Sequence, residues 1–141
     1  MQLTKAILRD FVRNRGFAVI ATISENGAPE AALVNIAASE ELELIFHTIQ
    51  TTRKCVNLRR DPRIAAVIGG WDGERTLQFE GIADEPKDRD LERLQTIYRE
   101  TSPNAAARDD WPGLTYFRVR PKWVRFSNYD RPWSIQALTF A

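Results

Sequence analysis

Phe46-His-Thr-Ile-Gln-Thr-Thr-Arg-Lys-Cys-Val-Asn-Leu-Arg-Arg-Asp-Pro62 changes character twice in one short run. A strand ends near Phe46–Thr48, and a polar turn follows. A helix starts near Thr52 and stops before Pro62, whose ring cannot continue it. The first turn of that helix sets a hydroxyl, a guanidinium and an ammonium in a row: Thr52, Arg53 and Lys54. Cations oppose the helix dipole at this end. From Thr52 to Arg63 there are five basic residues and one acidic, a local excess of +4 in a chain of net charge +1. Two readings fit. The helix shows water a basic face, or an anion sits at its start, held by the two cations and the free backbone N–H groups.

Toward the N-terminus, Leu42, Leu44 and Phe46 alternate with Glu43 and Ile45, which predicts a strand with one buried face. Phe17–Ser24 and Glu30–Ala37 read as two earlier strands. Asn26-Gly27 between them is a strong hairpin signal. Ser39-Glu40-Glu41 supplies another turn, so the three strands are expected to form an antiparallel meander. Leu3, Ile7, Leu8, Phe11 and Val12 recur at helical spacing and predict a short helix closed by Gly16, a lid on the sheet.

Toward the C-terminus, Arg63–Gly69 is a short buried strand, and Gly70-Trp71-Asp72-Gly73 turns the chain. Thr76–Ala83 is the fifth strand, with Leu77 and Phe79 on one face, Gln78 and Glu80 on the other. Gly81 within it predicts a bulge or a close backbone approach. Lys87–Thr101 is a helix with a stripe of Leu91, Leu94, Ile97 and Tyr98. Residues 102–113 form a loop whose alanine run suits a helical turn. Leu114–Arg120 is a sixth strand broken by Pro121, Trp123–Ser127 a seventh and Trp133–Phe140 an eighth. So many strands invite closure, which removes exposed edges. The expectation is a mainly β chain: one domain over residues 1–141, an antiparallel barrel with flanking helices, residues 1–16 packing on it.

Composition narrows the function. Hydrophobic residues make up 43% of the 141 and charged residues 28%, as in soluble globular domains. Twenty basic residues against nineteen acidic give no broad nucleic-acid footprint. One cysteine forms no internal disulfide, and one histidine makes no His-rich metal centre. Neither a leader-like run nor a membrane-length apolar stretch is present, so the expected site of action is cytoplasmic and away from membranes. Cys55 reads as a packing residue, with a reactive thiol as the alternative. Four tryptophans are many for one small core, which leaves two readings: some stand at an interface, or all pack in the core.

The succession of elements resembles the pyridoxamine 5′-phosphate oxidase-like flavoproteins. Three matches carry the resemblance: Ala21-Thr-Ile-Ser-Glu-Asn-Gly-Ala-Pro29; Phe46-His47-Thr48 followed by Thr52-Arg53-Lys54; and Leu77-Gln-Phe-Glu-Gly-Ile-Ala83. The resemblance runs from Phe17 to Ser127 and implies a split antiparallel β-barrel of FMN-binding type. It also implies a homodimer with the cofactor at the interface, and oxidoreductase activity on an unnamed small molecule. Thr52, Arg53 and Lys54 would hold the FMN phosphate, with His47 and Thr48 beside the phosphate and ribityl chain. Ala32 and Val34 would face the ring edge, and Thr76 and Gln78 its polar rim. Ser127 stands where a tryptophan over the flavin is expected, and Ala32 where the family often has an arginine. The Arg-X-His element that holds the vitamin substrate's phosphate is absent, so oxidation of pyridoxamine phosphate is not expected. No catalytic acid or base is required, since the flavin carries the redox chemistry. A deazaflavin-dependent reductase and a non-catalytic flavin or haem binder are the alternatives.

Overall fold

The computed structural model describes residues 2–71 and 73–141. Met1 and Asp72, within the expected N-terminal segment and the expected turn at 70–73, lie outside the described residues. Helix α1 (Lys5–Arg15) begins at Thr4, whose hydroxyl accepts from the Ile7 amide at 3.2 Å. It ends at Gly16, whose φ of 75° suits the left-handed cap and whose N–H donates to Val12. Leu8 and Val12 are fully buried, and Phe11 meets Phe126 edge-on at 5.0 Å. The helix is the expected lid.

Strands β1 (Phe17–Ile23) and β2 (Pro29–Asn35) form the expected hairpin. A two-residue strand β3 (Ala37–Ala38), β4 (Leu44–Ile49), helix α2 (Arg53–Arg60), β5 (Arg63–Gly69) and β6 (Arg75–Asp84) follow. Helices α3 (Asp88–Thr101) and α4 (Pro103–Ala106), then β7 (Leu114–Asn128) and β8 (Ser134–Thr139), complete the order. All strand pairs are antiparallel, in the order β2-β1-β5-β6-β7-β4-β3, with β8 beside the second half of β7. The curled sheet and its helices make a split antiparallel β-barrel.

Two sequence expectations need correction. The third strand does not continue a meander. β4 pairs with β3 and β7, on the far side of the sheet from β1, and both of its faces are buried. Leu44 and Phe46 enter the main core with Ile20, Ile36, Leu77 and Phe79, whereas Ile45 packs with Leu94, Tyr98 and Ala105 under α3 and α4. A strand covered on both sides loses the alternation from which one face was read. Pro121 does not end a strand either, and β7 runs through it. β4 pairs with β7 only as far as Val119, and β8 only from Trp123, so the missing N–H falls between two partners.

Opposite Pro121 the register slips between Glu80 and Gly81, the bulge that Gly81 suggested. A Cβ on Gly81 would stand 2.3 Å from the Arg120 carbonyl oxygen, so the backbones themselves would have to part. Gly81→Ala is therefore expected to destabilise the fold by about 1–3 kcal/mol. A denaturant midpoint equal to that of the wild type would show that the bulge yields freely.

Candidate functional site

β2 is an edge strand, and beyond Ile45 β4 is paired on one side only, by β7. These two rims approach without joining. Between them lies a cleft of about 240 Å³, lined by Leu33, Val34 and Asn35 of β2 and by His47, Thr48 and Ile49 of β4. The split in the barrel is the cavity. Its floor is the start of α2, where Thr52 and Lys54 also line it.

The turn before α2 is held by its own hydroxyls. Thr52 caps the helix: its Oγ1 lies 3.4 Å from the Cys55 amide and donates to the Ile49 carbonyl at 2.8 Å. A hydroxyl has one proton, so the 2.9 Å contact between Thr48 and Thr52 is donated by Thr48. Both hydroxyl protons are thus spent inside the turn. What remains for an anion is the Lys54 ammonium and the first amides of α2, which have no intrahelical acceptor. Burial lowers the Lys54 pKa from its ordinary value, and Lys54 makes no ion pair among the described residues. A partly desolvated cation without a counterion fits an anionic ligand group.

Arg53 goes elsewhere. It is 75% exposed and pairs with Glu30 at 3.0 Å, over a second cavity shared with Ala32, Thr22 and Lys54. Glu30 is fixed in turn by Asn57, which also donates to Thr22. Lys54 and Thr52 border both cavities. Cys55 is buried, and that burial pushes its thiol up, as suits a packing residue.

His47 is turned toward the helices. Its ring lies 4.8 Å from that of Tyr98 and 5.2 Å from that of Tyr116, and Nε2 donates to the Ala105 carbonyl at 3.1 Å. Burial pushes the Tyr98 phenol up to about 12, with Arg108 pulling the other way. Asp109 is held by Arg99 at 3.0 Å and by the Tyr116 hydroxyl.

The remaining expected site residues lie apart from the cleft. Thr76 and Gln78 are on the outer face of β6, three strands from β2, and buried Ser127 pairs with Thr76. On that face, cross-strand partners form a row: Leu33, Val19, Val67, Gln78, Arg125. The row is apolar on β2, β1 and β5, where Leu33 is 65% exposed. Trp71, Trp111 and Trp133 are also exposed, so three of the four tryptophans stay out of the core.

Arg108 and Trp111 of the connection between α4 and β7, and Leu114 at the start of β7, also line the cleft. Sequence reading did not select them. The one hint was that Trp111 was surplus to a small core.

The family model for pyridoxamine 5′-phosphate oxidase matches residues 4–128. Among solved structures, a haem-binding protein from Mycobacterium smegmatis superposes with a TM-score of 0.81 at 17% identity, over 99% of this chain and 59% of that one. General Stress Protein 26 from Bacillus anthracis gives 0.73 at 15% identity, over 96% and 98%. A pyridoxamine 5′-phosphate oxidase-related, FMN-binding protein from Nostoc punctiforme gives 0.67 at 14% identity, over the whole of both chains. At these identities the likeness is one of fold. No helix among the described residues is long and apolar enough to cross a membrane.

Proposed function

Because the chain belongs to the pyridoxamine 5′-phosphate oxidase family, we propose that its β2–β4 cleft binds FMN and that it works as a homodimeric FMN-dependent oxidoreductase on a small molecule. Lys54 carries the reading: a half-buried ammonium at a helix start, lining a cleft with no carboxylate among the described residues around it. A phosphomonoester brings about two negative charges and three acceptor oxygens. Lys54 and the first amides of α2 would meet them. Pockets for drug-sized ligands run to about 300–1,000 Å³. The cleft's 240 Å³ suits a phosphate and a sugar-alcohol tail, leaving the ring outside.

Bound flavin would supply the electron chemistry, and the chain's own groups would bind and orient it. His47 serves here as a strut, its Nε2 already hydrogen-bonded to Ala105. It is the chain's single histidine, so neither an Arg-X-His phosphate grip nor histidine ligation of haem is part of the reading. The apolar row from Leu33 to Val67, exposed at Leu33 and Val19, is the surface for the second protomer. A partner laid on it would bring its Thr76 and Gln78 near the ring.

Fluorescence titration with FMN and with riboflavin tests the reading. Wild type should prefer FMN at least about tenfold, the worth of one charge-assisted hydrogen bond. Equal affinity, or none, would overturn it. Light scattering should give twice the chain mass of 16.2 kDa; a stable monomer would remove the dimer.

A further inference from the structure

Arg108 lies in the connection between α4 and β7, and it lines the same cavity as Lys54. Its guanidinium lies 5.8 Å from the centre of the Trp111 ring, which is 52% exposed and also lines the cavity. Among the described residues it makes no ion pair. The carboxylate of its sequence neighbour Asp109 is taken by Arg99 and Tyr116. The cavity therefore receives one cation from α2 and another from the α4–β7 connection, with no carboxylate among the described residues that line it, and like charges around one cavity repel when no anion lies among them. Among the described residues no ion pair accounts for either cation: Lys54 is partly desolvated without a counterion, and Arg108 lies against the Trp111 indole.

We propose that Arg108 is a second arm on the ligand's phosphate, closing over it from the α4–β7 connection while Lys54 holds it from α2, with Trp111 bracing the guanidinium. This rests on the FMN reading for the identity of the phosphate's owner, but not for the clamp itself. Arg108 would then decide specificity: it makes the site select a phosphorylated flavin over an unphosphorylated one. Its planar fork presents two parallel N–H donors to two phosphate oxygens in a fixed geometry, where the Lys54 ammonium acts as a point charge. Arg53, committed to Glu30 in the neighbouring cavity, leaves that position open.

The test uses Arg108→Gln, with Arg89→Gln as a control that removes equal charge from the exposed outer face of α3. Three probes are titrated: FMN, riboflavin, and ribose 5-phosphate, which carries a phosphate and no ring. Arg108→Gln should weaken FMN and ribose 5-phosphate about tenfold, the loss of one charge-assisted bond, and leave riboflavin and the melting temperature unchanged. Arg89→Gln should change nothing. If ribose 5-phosphate binds in an Arg108-dependent way but neither flavin binds, the clamp stands and the flavin reading falls. If Arg108→Gln keeps the full preference for FMN over riboflavin, or loses it no more than Arg89→Gln does, the clamp is overturned and the flavin reading stands.

Discussion

Arg118→Met should destabilise the fold by about 3–5 kcal/mol, the usual loss when one partner of a buried ion network is removed. Arg118 lies on β7 with its side chain 7% exposed. Its Nε and Nη2 donate to Asp84 of β6 at 2.9 and 2.7 Å, and Nη1 reaches Asp90 of α3 at 3.2 Å and Glu43 at 3.4 Å. Glu43 is equally enclosed; Arg93 and the Ser39 hydroxyl also bond to it, at 3.0 and 2.8 Å. One guanidinium thus ties the turn before β4, the end of β6 and the first turn of α3. Methionine fills some of the volume but leaves the buried Glu43 carboxylate, and the more exposed Asp84 and Asp90, each short of a donor. A chemical denaturation curve measures the loss, and a shift below 1 kcal/mol would make the network no more than a surface one.

The same network fixes an acid dependence. Burial works to raise the Glu43 and Asp84 carboxyls, but hydrogen bonds and charge from Arg93 and Arg118 respectively outweigh it, and both stay below their ordinary values. Asp90 is lowered by Arg118 first and Arg93 second. Carboxyls depressed in the folded state contribute stability above the ordinary carboxylate range, about pH 4. That stability is lost as pH falls through the depressed values. The gap between wild type and Arg118→Met should therefore narrow in acid.

Lys54→Met should weaken FMN about tenfold to a hundredfold, from charge-assisted bonds worth about 1.5–3 kcal/mol each, and leave riboflavin nearly unchanged. Arg53→Ala should do less, since Arg53 is already paired with Glu30 and mostly in water. Folding stability should move the other way. Burial disfavours the Lys54 charge, so its removal should leave the melting temperature equal or higher. Binding lost without stability lost marks a residue kept for its ligand. Undiminished FMN affinity in Lys54→Met would send the phosphate to another site.

What was legible in the sequence was local. The Asn26-Gly27 hairpin, the helix start near Thr52 and the bulge at Gly81 each depend on residues within a few positions of one another. Residue spacing alone could not say that β4 would leave β2 and cross to β7, because pairing across some seventy residues of chain writes no periodicity. Pro121 misled because its missing donor matters only where a neighbouring strand asks for it. The site was legible by half. Thr52 and Lys54 announced themselves as hydroxyl and charge at a helix start. Arg53 drew the same reading, yet Glu30 claims it through space. Arg108 and Trp111 sat in a segment whose composition says only that it turns.

β7 carries a cost during synthesis on the ribosome. It is bordered by β6 along its length and by β4 and β8 in succession. Until residues 114–128 have emerged, β6 and β4 each present an open edge, and the Phe46 and Phe79 side chains lack the Phe117 and Val124 that help to cover them. A nascent chain in that state is a template for strand addition by its neighbours. Sheet closure must wait for a distant partner, which is the slow kind of folding. The early β1–β2 hairpin and α1 can form while the chain waits. The barrel cannot.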